Sequence, residues 1–358
     1  MPGYLKRITG TIPHTNKSVN LLLDGKNLII TGKNGMGKSS FLRNIYDKTI
    51  LLIVKKNQDG LFKLKQKLQD HEKTLNSSVK GSKDYEVHAY AVKLIREEIN
   101  RVESKLQIYL SDETEFTSKI DNKQAVILFF DDRRLANISE AMTAVSLQAE
   151  IEENKKATHT DNVGKKLEQH LLNLKTRRSL ALTEDKDKKL ADNIDKWFVD
   201  FEKILKHLFE NKSTQLLFDP GKNKFSIQQD GKPPFTFQTL SLGYNAILDV
   251  YADLLMRTEY FCVSPLELEG VIFIDEIESH LHIALQRVIL PFFIKLFPKI
   301  QYIVTTHSPF VIMSVKDALV FDLAMETPYS ISKVKSHNEI INKYLGVPTI
   351  MPIWAEDS

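Results

Sequence analysis

The sequence predicts an α/β fold built on a mostly parallel sheet, and three observations predict it. Short apolar runs, "NLIIT" (27–31), "AVILFF" (125–130), "GVIFID" (270–275), "YIVTT" (302–306) and "ALVFDL" (318–323), have the length and composition of strands buried on both faces. In the last third of the chain such runs alternate with helical stretches, which parallel connections require. The first run leads into "TGKNGMGKSSF" (31–41), a glycine loop of spacing G-x-x-x-x-G-K-S that opens a helix.

That loop makes Gly32, Lys33, Asn34, Gly35, Met36, Gly37, Lys38, Ser39 and Ser40 candidate phosphate ligands. Glycines let successive backbone N–H groups turn toward one anion. Lys38 supplies a point charge for β- and γ-phosphates, and the Ser39 hydroxyl suits Mg²⁺. Strand before and helix after are the context the chemistry needs, because a helix N-terminus favours phosphate.

The bulk composition narrows the class. A chain of 358 residues predicts two domains or one with insertions, and a hydrophobic fraction of 42% is enough for a full core. Its 49 basic and 46 acidic residues leave a net charge of +3, so nucleic-acid binding would need a local patch. One cysteine, Cys262, excludes an internal disulfide and a cysteine-based metal cluster, and is expected as a small buried hydrophobe in a reducing, cytoplasmic setting. No apolar run is long enough to span a membrane, and "MPGYLKRITG" shows no secretory signal.

The elements follow in order. Residues 4–31 read as strands joined by turns, and "KSSFLRNIY" as the start of a helix. Leu61, Leu64, Leu68, His71 and Leu75 recur at 3,4 spacing, as do Ile95, Ile99, Val102, Leu106 and Tyr109. Each set makes one helical seam, so 57–112 reads as an antiparallel hairpin, either a short coiled coil or a pair of packed surface helices. The stretch 135–212 reads as mostly helical, ending in a helix with Leu190, Ile194, Trp197, Phe201, Ile204 and Leu208 on one face; "ATHTDNVGKK" (157–166) within it reads as a mobile loop. Strands are expected at 215–219 and 224–228, followed by a turn at "KPPF" (232–235).

Three further segments carry chemistry. "VIFIDEIESHLH" (271–282) is an apolar strand running into Asp275 and Glu276. Opposite a P-loop, Asp275 would hold the Mg²⁺ shell and Glu276 would act as general base toward water. "YIVTTHSPF" ends a later strand at His307, which a parallel sheet would bring to the same edge. "LSLGY" (240–244) offers the Ser241 hydroxyl and an unobstructed backbone at Gly243 to an anion, although taken alone the segment reads as a plain helix N-cap, Ser followed by Gly.

Together these residues resemble ABC-type ATPases of the SMC/RecF/OLD kind. Walker A matches at Gly32–Ser39, the signature at Leu240–Gly243, Walker B at Ile272–Glu276, the D-loop region at Glu278–His282 and the switch histidine at His307, in the family's order. "DEIESHLH" and "TTHSP" look most like the AAA-type ATPases of bacterial anti-phage defence, such as those of Septu and retron systems. The resemblance implies an ABC-ATPase head: a P-loop sheet with antiparallel N-terminal strands, a helical lobe and a short coiled-coil insertion. On that frame 1–56 and 113–134 form the P-loop part, 57–112 the insertion, 135–212 the helical lobe and 213–358 the remainder.

The resemblance further implies ATP and Mg²⁺ as cofactors and a homodimer that sandwiches ATP. Lys38, Ser39, Asp275, Glu276 and His307 would act from one subunit, Ser241 and Gly243 from the other. Because the chain ends soon after "VFDL" without room for a Toprim domain, a separate effector, nuclease or toxin, is the expected partner; DNA or RNA is a further candidate, and no membrane is expected. A transporter subunit, a slow ATP-binding sensor and a DNA-repair ATPase are the alternatives. One departure stands out: "AVILFF" runs into Asp131-Asp132-Arg133-Arg134 where the family usually has a Q-loop glutamine. Asp131 is the candidate to replace it, while Arg133 and Arg134 either reach phosphates and a partner or nucleic acid, or pair with nearby carboxylates.

Overall fold

The computed structural model describes residues 3–13, 15, 17–54, 59–103, 105–325 and 328–330. A six-stranded sheet organises them. Its order is β11 (Pro328–Ser330), β10 (Leu319–Asp322), β3 (Leu28–Thr31), β9 (Ile300–Thr305), β8 (Glu269–Ile274) and β5 (Ala125–Phe130). All neighbours run parallel except β11, which pairs antiparallel with β10. The α/β expectation therefore holds.

Alternation along these strands feeds two cores. Ile29, Val126, Leu128, Ile272, Ile274 and Val304 enter the larger cluster, which the helical lobe completes. Their neighbours Leu28, Ile30, Ile127, Val271, Phe273 and Ile303 face the other way, onto α1 (Lys38–Ile53), α4 (Glu113–Asp121) and the N-terminal strands. Such two-sided burial is why the strands read as unbroken apolar runs. Gly270 is forced by close approach: a Cβ there would lie 2.1 Å from the Val126 carbonyl oxygen, and its φ is +142°.

A second sheet, antiparallel and of order β2-β1-β4, sits against this core. It comprises β1 (Leu5–Thr11), β2 (Ser18–Leu22) and β4 (Gln107–Leu110). Gln301 joins the sheets: its amide accepts from Leu5 N–H at 2.8 Å and donates to the carbonyls of Leu5 and Lys26. Strand β4 corrects the sequence reading. Leu106 and Tyr109, expected on a helical seam, lie just before and on β4, where Tyr109 pairs with Arg7 and Ile108 with Ile8. Backbone pairing to β1 outweighs a 3,4 spacing that continues past the helix only by coincidence.

The hairpin itself is α2 (Asp59–Ser77) and α3 (Lys83–Glu103), with Glu72 paired to Arg96 at 2.6 Å. The seam side chains of Leu61 and Val102 lie outside the described residues. The lobe contains α5 (Leu147–Asn154), α6 (Leu167–Thr183), α7 (Lys188–Leu208) and α8 (Leu242–Phe261), with the hairpin β6 (Gln215–Asp219) and β7 (Lys224–Gln228) beside it. Residues 135–146, expected to be helical, are irregular.

Two further expectations fail in the lobe. The loop at 157–166, read as mobile, is tied to α8. The Arg257 guanidinium, 2% exposed, donates to the carbonyls of Thr158 and Asp161, and Asp253 accepts from Val163 N–H at 2.9 Å. Cys262 is exposed, because α8 ends there in a left-handed turn (φ 54°) that directs the side chain outward. After β8 come α9 (Ile283–Leu296), then β9 and the single turn α10 (Pro309–Ile312). No helix among the described residues is long and apolar enough to cross a membrane.

Candidate functional site

The sheet order places the C-terminal ends of β3, β9, β8 and β5 side by side. Parallel strands gather their following loops at one edge, which is where open α/β sheets bind ligands. The segments singled out in the sequence after β3, β8 and β9 thus converge.

The loop after β3 has a geometry that can receive an anion. Gly35 and Gly37 have φ of +76° and +86°, and a Cβ added to either would meet nothing within 4 Å. Gly37 caps α1 with no side-chain bond, and the first turn of α1 holds no acidic residue. Its leading N–H groups therefore keep their attraction for negative charge. Lys38 is 6% exposed, and its ammonium donates to the carbonyls of Gly32 (3.2 Å) and Lys33 (3.3 Å). Burial pulls its pKa down, and Glu276, Glu278, Asp275 and Asp322 oppose that pull. Ser39 and Ser40 are exposed on the same first turn, as are Lys33 and Asn34 on the loop; Met36 is half-buried and packs against the core.

The acids after β8 are held by β9. Thr305 Oγ1 donates to Asp275 Oδ1 at 2.5 Å and accepts from Glu276 N–H at 2.7 Å. Asp275 N–H continues the ladder to Phe130 O of β5. Glu276 takes a left-handed φ of 44° and is half-buried. Burial raises its pKa, with Glu278, Asp275 and Asp132 adding to the shift and Lys38 opposing it.

Glu278 is a member of the site that sequence reasoning placed only within the D-loop region. Its Oε1 accepts from His307 N–H at 2.5 Å, and its Oε2 is buried without a hydrogen-bond partner. Burial and Lys38 pull the His307 pKa down while Glu278 and Asp275 oppose. Asp322, at the end of β10, is fully buried against Gly32, and its Oδ1 accepts from Ala324 N–H. A third acid inside "DEIES" and an acid closing "VFD" were the available signals for these two.

The signature segment lies on α8. Ser241 occupies the N-cap, the position the plain-cap reading gives it, but makes no side-chain cap bond and is exposed. Gly243 is buried, and a Cβ there would lie 2.6 Å from the His280 carbonyl oxygen. The glycine lets the start of α8 seat on the turn that follows the acids.

The paired arginines part company. Arg133 is exposed, and its N–H donates to Asp131 Oδ1 at 3.0 Å. Arg134 is 4% exposed and bonds neither a carboxylate nor open space: it donates to the backbone carbonyls of Asp131, Asp275, Glu276 and Ile277. Neither alternative drawn from the sequence anticipated this.

Residues 28–314 match the family described as "AAA domain, putative AbiEii toxin, Type IV TA system". The chain belongs to this AAA-domain family. Among individual relatives, "Retron Ec83 probable ATPase" of Escherichia coli is 45% identical over 73 residues, 20% of this chain and 14% of that protein. "Septu protein PtuA" of Bacillus mycoides (strain KBAB4) is 30% identical over 128 residues, 32% of this chain and 17% of that protein. "Retron Vc95 probable ATPase" of Vibrio cholerae serotype O1 biovar El Tor is 37% identical over 79 residues, 21% and 15% of the two chains. The matches thus span between 14% and 17% of the relatives' own lengths. Among solved structures, the SmcHead bound to the C-winged helix domain of ScpA superposes with a TM-score of 0.43 at 14% identity, covering 92% of this chain and 98% of that one. The SMC head domain from Thermotoga maritima gives 0.38 at 12% identity, covering 88% and 94%.

Proposed function

We propose that this chain binds and hydrolyses ATP with Mg²⁺, and that two copies close around ATP to control a separate effector in anti-phage defence. The observation that carries the reading is the meeting of Lys38 with Asp275, Glu276 and His307 at one sheet edge. Lys38 is a buried cation that spends its donors on two loop carbonyls and has carboxylates around it, a state that exchanges readily for phosphate oxygens. Gly32–Ser40 cradle the phosphates. Mg²⁺, when bound, would supply charge neutralisation at the phosphates, and Ser39 and Asp275 would hold it. Glu276 accepts the proton of the attacking water, and His307, whose pKa burial and Lys38 pull down, accepts or donates a hydrogen bond there.

Ser241 and Gly243 serve the partner's nucleotide in this reading. Ser241 is exposed and makes no side-chain cap bond, the adjacent Leu242 is 56% exposed, and Ile283, at the start of α9 just beyond the His280 turn on which Gly243 packs, is 49% exposed. Apolar groups flanking a polar hydroxyl suit a face that closes and opens. A role as the ATPase of a retron- or Septu-like system, rather than of a transporter, is supported by the names of those relatives.

Two substitutions test this. Lys38→Ala removes the cation of the cradle and should abolish ATP binding in calorimetry; unchanged affinity would overturn the P-loop assignment. Glu276→Gln should keep ATP binding, lower turnover by at least roughly 10²-fold, and trap an ATP-dependent dimer in sedimentation. A Glu276→Gln variant that turns over like the wild type removes the base assignment.

A further inference from the structure

We propose that Arg134 is a positioning residue that locks the turn carrying Glu276 and fastens that turn to the helix carrying Ser241 and Gly243. The proposal rests on Glu276 being the hydrolytic base.

The turn needs a lock. Glu276 holds a left-handed φ of 44°, a conformation unfavourable for a residue with a side chain. Its N–H is pinned by Thr305 Oγ1 at 2.7 Å. On the other side, the carbonyls of Asp275, Glu276 and Ile277 point to one place, and Arg134 fills it. Its Nη2 lies 2.9 Å from Glu276 O and 3.4 Å from Ile277 O, while Nη1 donates to Asp275 O and, at 2.8 Å, to Asp131 O. Only a planar guanidinium presents enough donors in a fixed fork to serve four carbonyls at once. With both peptide planes of Glu276 held, its carboxylate keeps one aim.

The same residue reaches α8. Arg134 and Asp249 of α8 line the same cavity. Two residues beyond Arg134, Ala136 N–H donates to Asn245 Oδ1 at 2.6 Å. Asn245 and Asp249 lie four apart, on one face of α8. From the other side Gly243 packs on the His280 carbonyl. The segment 131–136 is thus a strap between the Walker B turn of one nucleotide site and the signature helix that serves the other. A phosphate-dependent shift of the Glu276 turn pulls on α8 through it.

The test uses the full chain with Arg134→Ala, Arg134→Lys and Arg133→Ala. Arg134→Ala should bind ATP as the wild type does but lose kcat by roughly 10²-fold, the scale of a misaimed catalytic group, with KM little changed. Arg134→Lys should stay slow, because one ammonium cannot fork across the turn. Low-millimolar guanidinium should restore part of the turnover of Arg134→Ala and none of Arg134→Lys, and Arg133→Ala should match the wild type. In hydrogen exchange, the amides of 276–277 should open faster in Arg134→Ala. Wild-type kcat in Arg134→Ala, or unaltered exchange there, overturns the proposal. Should Arg134→Ala fail to fold, Arg134→Lys carries the test, and wild-type turnover in that variant overturns it. A wild type that binds ATP without hydrolysing it refutes the hydrolytic reading instead, and the exchange comparison still decides the clamp.

Discussion

Glu276 shows how one residue depends on charges around it. Burial raises its pKa, and Glu278, the next contributor, Asp275 and Asp132 raise it further. A base must be deprotonated, so turnover falls as pH drops through that raised pKa. The acid limb of the kcat–pH profile should therefore lie above the ordinary glutamate value of about 4.3. Glu278→Gln removes a like charge and should move the limb to lower pH; an unmoved limb would show that the two carboxylates do not interact. At this scale the sequence was most readable where chemistry is local. Gly32 to Ser40, and Asp275 with Glu276, act as neighbours in the chain, so their spacing carries the information. Thr305 was invisible as a functional residue: its hydroxyl bridges the Asp275 carboxylate and the Glu276 N–H in the turn after a different strand, and no spacing records that.

At the scale of elements, the start of α8 is decided by packing. Gly243→Ala forces a methyl to within 2.6 Å of the His280 oxygen, so α8 or the 280 turn must move. Overpacking of this kind costs about 1–3 kcal/mol, read as a lower Tm. The same variant should keep ATP affinity and lose ATP-dependent dimerisation; a variant that dimerises normally would detach Gly243 from the interface. The helical hairpin shows the opposite limit of sequence reading. Apolar periodicity located α2 and α3, but Leu106 and Tyr109 extended the pattern into β4, because a short strand beside a helix can satisfy the same spacing. Pairing to β1, about a hundred residues away, made the difference.

For the whole molecule, a buried charge network ties the lobe together and sets its response to pH. His170 on α6 is 1% exposed and lies between Glu150 of α5 and Glu259 of α8; Tyr260 and Asn173 donate to Glu150, and Trp197 of α7 donates to Glu259. Burial pulls the His170 pKa down, but the two carboxylates outweigh it and hold it at about 9, against an ordinary 6.5. A pKa raised by folding contributes stability that is complete below pH 6.5 and is lost as pH rises through about 9. Unfolding free energy should fall across that window with a slope approaching about 1.4 kcal/mol per pH unit, one proton's worth. His170→Gln should flatten the slope; an unchanged slope would assign it to other groups. Nothing in the sequence pointed to this cluster, since its members come from four helices. By itself the sequence determined the α/β class, the strand and helix identities around the P-loop, and the acids and histidine at the candidate site, because each is written in contiguous periodicity or spacing. Only the tertiary structure decided that Arg134 grips carbonyls, that Cys262 faces solvent, that 157–166 is tied down and that Glu278 joins the site. Those outcomes depend on which groups lie opposite one another across strands and helices distant in the chain, and on the need of each buried donor or acceptor for a partner there.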